Sequence, residues 1–551
     1  MARNLRVGIQ RGLRQSIGGG FGTGDVFTLS PASFDFSRTN TKDSRITFTR
    51  ASSGTCVGAD GLIKTTPVNL MSRSEEINYR TKYFGATVTS NSIAAPNGTV
   101  TADFVDISAQ QYSQVLQVFS VKSSTTYTVS FYARSVTGTD LIQLFRPSGG
   151  SVNFTLTTEW QRFTSTYTTT STATTNNVLF TKKPGSTNQF YLWGVQVEEG
   201  SVATDYIPTG STLSGAPRFD HDPVTGESLG LLIEEARTNF ALNSDSAQGS
   251  ALGTPIPNST ANVVSPRGIT ETVRQLGRDV PAGGAQTWRV GSTSGGTPNT
   301  TYTISFYAKT VNGGTTSINI DINDAAPSSG QAATITGEWT RIVKTGGSRP
   351  NNLRFFDMNM VTATEDFYVW GAQIEIGSFA TSYIPTTSSQ VTRAADVVEI
   401  TGTDFSSFYN QSEGTVFAEY NVLHDKTGFS QFIYDFSDGT NNNAIRQFKR
   451  SGNNQTVSTV RTNGNIQGRI EGNTNTPFNE RYKTAYALDG TDAQRAIKGI
   501  ASSEFGVSMP TVDRLRLGGR QDNTFLANCR ISRFAYFPTR LTGALLQSIT
   551  S

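Results

Sequence analysis

The sequence predicts an all-β protein built of tandem antiparallel β-sandwiches behind a short N-terminal arm. Three observations predict this fold class: a long motif occurs twice, apolar residues alternate with period two around it, and Gly and Asn turn signals separate the alternating segments. Gly occurs 53 times among 551 residues, and only 16% of residues are charged, against roughly 25% in an average soluble protein. This balance favours many short strands joined by turns.

The repeated motif marks two homologous modules. It reads FYLWGVQVEEGSVATDYIPT at 190–209 and FYVWGAQIEIGSFATSYIPT at 367–386. Two further motifs of the first copy, TYTVSFYA and EWQRF, return in the second as TYTISFYA and EWTRI at a nearly constant offset. A solenoid would instead repeat every 20–50 residues or so. We therefore predict module 1 over 68–212 and module 2 over 239–396.

Alternation within each module predicts half-buried strands, and several strands per module suggest a two-sheet antiparallel jelly roll. The last ten residues of each long motif start at Gly and end in Ile-Pro-Thr, which is typical of an extended segment leaving a strand. We name these segments strap 1 (200–209) and strap 2 (377–386). The residues expected on the buried face are Tyr127, Val129 and Phe131 in the first copy and Tyr302, Ile304 and Phe306 in the second.

The other segments complete the predicted organisation. A basic docking arm (1–24) precedes a β-hairpin linker segment (25–67) in which ADGL is a turn. A second hairpin (213–238) turns at DPVTGE, where Pro fits position i+1 and Gly closes the turn. The C-terminal domain (397–551) shows strands separated by Asn, Asp and Gly, and its last residues predict a short helix with Thr542 as the N-cap.

Several of these motifs resemble known families. TYTVSFYA, EWQRF and the long motif are similar to carbohydrate-binding-module-like jelly rolls, and the C-terminal domain resembles a concanavalin A-like or laminin-G-like lectin sandwich. The ordered set ITFTRASSGTCVGADGLIKTT, PRFDHDPVTGESLGLLIEEARTN and GSFATSYIPTTSSQVTRAAD resembles tailed-bacteriophage virion proteins, often tail fibres or other host-facing structural proteins. The resemblance covers nearly all of 34–551. In that family DGLI commonly runs straight into PRFDHDP, whereas here module 1 lies between them.

Composition narrows the function classes. The net charge is +3, so no basic field exists to attract nucleic acid, and no apolar run is long enough to insert into a membrane. The basic N-terminus lacks the apolar core of a signal peptide, so we expect synthesis in the host cytoplasm without export by that route. Cys56 and Cys529 are expected to be free thiols. With two His and no catalytic sequence motif, we expect a protein that is not an enzyme.

The first candidate site is aromatic. Sugars present apolar C–H faces on which exposed Tyr and Trp rings can stack. Tyr132 and Tyr307 lie on the strand face opposite the core residues and are the glycan-binding candidates; the alternative is that both pack under a loop or against another subunit. The four Trp residues of the repeated motifs are expected in the core.

Acidic residues give two further candidates. Asp435, Asp438 and Asn441 fall in one turn, YDFSDGTNNN, where oxygens suit Ca²⁺; an ordinary Asx-rich turn is the alternative. Glu198 and Glu375 recur at corresponding positions, but glycoside hydrolysis needs two carboxylates across a cleft. A repeated structural carboxylate that accepts hydrogen bonds from turn amides explains them more simply.

The N-terminal arm is the last candidate. Four arginines precede the first acidic residue, and Leu and Ile recur every four residues, so one helical face would be apolar and flanked by positive charge. We expect this arm to dock onto other virion proteins, a disordered start being the alternative. The docking residues are Arg3, Arg6, Arg11 and Arg14.

Together these features predict a phage virion structural protein, a tail fibre or host-attachment component that binds host surface glycans without a cofactor other than possible Ca²⁺. Several copies, for example a trimer, would gain avidity. The alternative is a capsid decoration, head fibre or tail connector protein that binds no sugar. A polysaccharide depolymerase is the third possibility.

Overall fold

The computed structural model describes residues 27–28, 30–253, 258–277, 286–292, 295–322, 331–346, 354–360, 362–426, 428–471 and 475–551. These residues form two compact units. One comprises Thr49–Ser53 and Thr66–Ala216 and contains module 1. The other comprises Gly54–Thr65, Pro217–Ser551 and the described residues up to Phe48. Both are built almost entirely of antiparallel strands, which confirms the predicted fold class.

Module 1 is a sandwich of two five-stranded sheets. The first sheet has the order Gln161–Thr168, Thr126–Ser135, Gln189–Glu199, Ala102–Asp106 and Thr87–Ile93. The second has the order Gly150–Leu156, Asp140–Arg146, Thr175–Thr181, Gln114–Ser120 and Thr81–Tyr83. The short strands Val68–Asn69 and Ser214–Gly215 pair at the module's ends, and Ile77–Tyr79 is a 3₁₀ turn.

Module 2 repeats this strand order in its own two sheets. The first runs Thr340–Gly346, Tyr302–Thr310, Phe367–Ile376, Thr270–Leu276 and Asn258–Val264. The second runs Gln331–Ile335, Thr316–Ile322, Arg354–Asn359, Gln286–Ser292 and Gly249–Gly253. Arg237–Asn239 pairs with Val391–Arg393, and Ser244–Ser246 is a 3₁₀ turn.

The C-terminal domain is a larger sandwich. One sheet runs Arg218–His221, Ser228–Ile233, Cys529–Phe537, Glu413–Val422, Arg481–Asp489, Asp492–Ile497 and Ile500–Ala501, with Ala32–Asp35 and Phe505–Gly506 paired beside this path. The other runs Thr47–Thr49, Val397–Thr401, Arg514–Leu517, Gln431–Ser437, Ala444–Lys449, Thr456–Thr462 and Asn465–Glu471. Its helices are Phe36–Thr39, Gly402–Ser406 and Gly543–Thr550, and Thr55–Val57 forms a separate hairpin with Ile63–Thr65.

The residues that period-two alternation predicted for the buried face do lie in the core. All three predicted residues of each copy lie in the apolar cluster of their own module. The register of strands Gln189–Glu199 and Phe367–Ile376 shifts at a glycine with a left-handed backbone. These glycines are Gly194 (φ 62°) and Gly371 (φ 67°). The result is a β-bulge. Beyond it Val195 and Val197 face the core, whereas Trp193 faces the opposite side of the sheet.

The two segments predicted as a linker (25–67) and a connecting hairpin (213–238) contribute strands to the C-terminal sandwich. Phe34 and Phe36 are 3% and 1% exposed within its core. Burying each aromatic side chain stabilises the fold by about 1.5–3 kcal/mol, which favours docked strands over a free linker. The DPVTGE turn forms as predicted, with Asp222 accepting the N–H groups of Val224 and Thr225.

The predicted C-terminal helix is also present. Leu546 and Ile549 of the helix, with Leu541 just before it, pack against one face of the sheet. Thr542 occupies the N-cap position, but its side chain makes no capping hydrogen bond. Among the described residues, no helix has the length and apolar character needed to cross a bilayer.

Candidate functional site

The straps close the modules through buried side-chain hydrogen bonds. The side-chain amide of Asn69 donates to the carbonyl groups of Val195 and Ile207, and its oxygen accepts two backbone N–H groups. Asn239 makes the same four bonds in module 2. Both asparagines are fully buried, so each one pins a strap to its own module.

A tyrosine of each strap is fastened in the same way. The hydroxyl of Tyr206 lies 2.5 Å from Ser74 Oγ and donates to Glu75 at 3.2 Å. In module 2, Tyr383 bonds Ser244 and an aspartate. Burial and the adjacent carboxylate raise the pKa of Tyr206 well above its usual range, so the phenol stays a donor at neutral pH.

The straps cover the two predicted glycan-binding residues. The ring of Tyr132 lies edge-on to Trp193 at 5.4 Å, and Tyr307 lies edge-on to Trp370 at 5.6 Å. Both tyrosines are half-buried beside the strap tyrosine. This packing under a strap corresponds to the alternative that the sequence left open.

The four tryptophans of the repeated motifs, expected in the core, are buried or half-buried but lie outside the sandwich cores. Trp193 and Trp370 are 3% and 0% exposed, and they pack between the sheet and the strap in separate clusters. Trp160 and Trp339 join the edges of these clusters. In a regular strand Trp193 would share the core face with Val195 and Val197. The bulge after the tryptophan turns the two valines toward the core and leaves Trp193 on the opposite face.

Glu198 and Glu375 are structural. Glu198 is buried and accepts hydrogen bonds from Gln196 and from the backbone N–H and hydroxyl of Thr204. Glu375 makes the corresponding bonds to Gln373 and Thr381. Each carboxylate therefore holds the first turn of a strap and is not exposed to a cleft, as the sequence suggested.

The predicted calcium ligands contact an arginine. Arg446 donates from Nε to Asp435 and from Nη1 to Asn441. Asp438 instead accepts the N–H and hydroxyl of Thr440, the geometry of an Asx turn. These contacts favour the turn interpretation. Within the described ranges, no group of three or more His, Cys, Asp or Glu side chains could hold a metal ion.

The docking-arm residues Arg3, Arg6, Arg11 and Arg14 lie outside the described residues. The arm's role in docking stays a prediction.

The structure shows an aromatic surface that the sequence analysis did not identify. We call it the aromatic platform: Tyr83, Phe84 and Tyr112 of module 1. Their exposed fractions are 43%, 50% and 64%. The ring centroids of Tyr83 and Phe84 lie 6.3 Å apart, and those of Phe84 and Tyr112 lie 6.1 Å apart. Contiguous exposed apolar surface is a feature of binding sites, whereas singly exposed rings need no explanation.

The backbone at Phe84 supports a binding role. Phe84 and Gly85 have φ values of 54° and 78°, and the N–H of Ala86 donates to the carbonyl of Tyr83. This is a type I′ turn, which favours Asn-Gly. Among the described residues, nine of the fifteen non-glycine positions with positive φ are Asn. A Phe here costs about 1–2 kcal/mol, and such strain is typical of functional positions.

The contacts around the turn hold the platform in place. The hydroxyl of Ser113 donates to the carbonyl of Phe84 at 2.5 Å and accepts the N–H of Gln110. Ser113 is itself fully buried. The loop that carries Tyr112 is thereby tied to the turn that carries Phe84. In the sequence, the adjacent aromatic pair before glycine in KYFGA was the available signal.

Comparisons with known proteins give no family. No protein-family model and no curated protein sequence matches the chain. Structural neighbours include the CBM40 module of the Ruminococcus gnavus IT-sialidase, at 15% identity and a TM-score of 0.24, covering 27% of this chain and 88% of that chain. The tandem CBM22 domain of Paenibacillus barcinonensis Xyn10C has 16% identity and a TM-score of 0.23, covering 56% and 97%. A pentraxin from Limulus polyphemus has 10% identity and a TM-score of 0.21, covering 25% and 70%. The function is therefore inferred from the residues of this chain.

Proposed function

We propose that the protein is a non-catalytic carbohydrate-binding protein that holds its ligand on the aromatic platform. The observation that carries this proposal is the exposed Phe84 ring, kept at a turn position where Asn would be less strained. A pyranose ring has an apolar C–H face that can stack on such a ring. Tyr83 and Tyr112 add two further rings and two hydroxyls that can bond sugar hydroxyls.

We place this activity on a phage virion, as a tail fibre or other host-attachment component. The sequence resemblance of 34–551 to host-facing virion proteins supports this proposal. Host surface glycans would be the ligand, and the basic arm would attach the chain to other virion proteins. Individually weak platforms would gain avidity when several copies engage one cell surface.

The second candidate is a structural virion part, such as a decoration or connector protein, that binds no sugar. The internal packing of Tyr132 and Tyr307 under the straps favours it, because the modules then serve as rigid spacers. In that case the platform would contact another virion protein instead of a glycan.

A glycan array probed with the full chain and then with platform variants tests the proposal. Tyr112→Ala and Phe84→Asn should weaken glycan binding. Phe429→Ala is the matched control, since this C-terminal ring is 53% exposed against 50% for Phe84. No binding by the full chain would support the structural candidate instead, and an equal loss of binding with Phe429→Ala would remove the platform from the binding site.

A further inference from the structure

The larger unit contains a cavity of about 320 Å³ that the aromatic platform does not involve. Strap 2, the hairpin strands around residues 55–63 and 220–234, and residues of the C-terminal sandwich line it. Protein sites for small molecules occupy roughly 300–1,000 Å³, so the cavity suits a small ligand. We name it the strap pocket; its central polar residues are Asp220, Tyr307, Arg341, His424, Asn479 and Arg530.

Most of the charges at the strap pocket are already paired. Asp220 accepts hydrogen bonds from the Val57 N–H and from Arg530 Nε. Glu234 forms ion pairs with Arg218 and Arg393 at 2.5 and 2.9 Å. These groups fix the wall of the pocket and leave no net charge of their own to attract a ligand.

Arg341 is the exception. Its Nη2 donates to Ser305 Oγ and to the carbonyl of Thr381. Its Nε is buried without a hydrogen-bond partner. Among the described residues, no carboxylate lies within ion-pair distance of this guanidinium. A positive charge held this way in a cavity favours an anion, and the planar guanidinium suits a carboxylate.

Neutral hydrogen-bonding groups surround Arg341. The guanidinium carbon lies 5.7 Å from the centroid of the Tyr307 ring, and the Tyr307 hydroxyl bonds none of the described residues. Asn479 is exposed to solvent at the pocket, and its side-chain amide is likewise unpaired within the described chain. Burial lowers the pKa of His424 to about 4, so its imidazole is neutral at pH 7.

We propose that the strap pocket binds a small, hydroxylated carboxylate of the uronic acid class. The ligand carboxylate would accept hydrogen bonds from Arg341 and Tyr307, and its hydroxyl groups would reach Asn479. This site is separate from the aromatic platform in residues and in unit, so each can fail alone.

The repeat supplies matched controls. Arg162 of module 1 makes the same strap contacts as Arg341, to Ser130 Oγ and to the carbonyl of Thr204, and its Nε is also unpaired. Tyr132 packs against its tryptophan as Tyr307 does. Of these four residues, only Arg341 and Tyr307 line the strap pocket.

The test is calorimetric titration of the full chain with glucuronate and, as the neutral counterpart, glucose. Glucuronate should bind at least about tenfold more tightly, because only it offers a partner for the guanidinium. Arg341→Gln should weaken glucuronate binding by about tenfold or more, and Tyr307→Phe, which keeps the ring, should weaken it severalfold. Arg162→Gln and Tyr132→Phe should leave it unchanged.

Three outcomes would overturn the proposal: no binding of glucuronate, equal affinity for glucose, or equal losses with Arg162→Gln and Arg341→Gln. The last would show that the arginine acts only through the strap. Inorganic phosphate binding as tightly as glucuronate would show a general anion site and would also contradict the assigned ligand class.

Discussion

Replacing Phe84 with Asn or with Ala separates the stability of module 1 from its proposed glycan binding. Phe84 is 50% exposed, so its ring retains about half of the 1.5–3 kcal/mol available from full burial. Asn loses that packing but relieves about 1–2 kcal/mol of left-handed strain. The two terms nearly cancel, so Phe84→Asn should change the free energy of unfolding by no more than about 1 kcal/mol. Ala loses the packing and stays strained, so Phe84→Ala should be about 1 kcal/mol less stable than Phe84→Asn.

Glycan binding should weaken to the same extent in both variants, because both remove the same ring. Truncating a central aromatic contact costs about 1–2 kcal/mol or more, roughly five- to thirtyfold in Kd. Calorimetric unfolding of the full chain measures the first effect, and titration with a glycan selected on the array measures the second. Equal stability of the Asn and Ala variants would refute the strain argument. Undiminished affinity in Phe84→Asn would remove the platform from the binding site.

Three further predictions concern the fold. Arg218→Met leaves Glu234 and Asp396 buried without their shared partner and should destabilise the larger unit by about 3–5 kcal/mol, measured as a lower Tm. Asn239→Ala and its counterpart Asn69→Ala should each cost at least about 2 kcal/mol, and proteolysis should then cut the strap of the altered module only. Burial lowers the pKa of Lys449 to about 7 from 10.5, so the unfolded chain binds its proton between those pH values and stability rises with pH there. Lys449→Met should stabilise the protein most at pH 7 and below and progressively less toward pH 10.5; a gain independent of pH would contradict the assigned pKa.

The regular parts of the fold were predictable because they follow local patterns. Period-two alternation identified both copies of the central strand, and the turn chemistry of DPVTGE identified the hairpin that closes on Asp222. The repeat itself revealed the two modules. These features depend on residues close in sequence, which a single chain displays directly.

The parts that were missed depend on distant residues or on a backbone irregularity. The bulge at Gly194 and Gly371 reverses which residues face the core, so plain alternation wrongly places the preceding tryptophan on the core face. Asp396 is 178 residues from Arg218 and 162 from Glu234 in sequence, so it joins this pair only after the sheets assemble. The platform combines two loops, and KYFGA alone gave no sign that Tyr112 would lie beside it.

The repeat also shows which positions of a strap are kept and which have changed. The bonds that fasten the straps are the same in both copies: the buried asparagine, the glutamine and glutamate pair, and the strap tyrosine. The exposed positions have diverged. Val202 of strap 1 is 73% exposed, whereas the matching Phe379 of strap 2 is 4% exposed and stacks on His424 at 4.8 Å. None of the bonds that fasten the straps involves Val202 or Phe379, so this position can change without loss of those bonds.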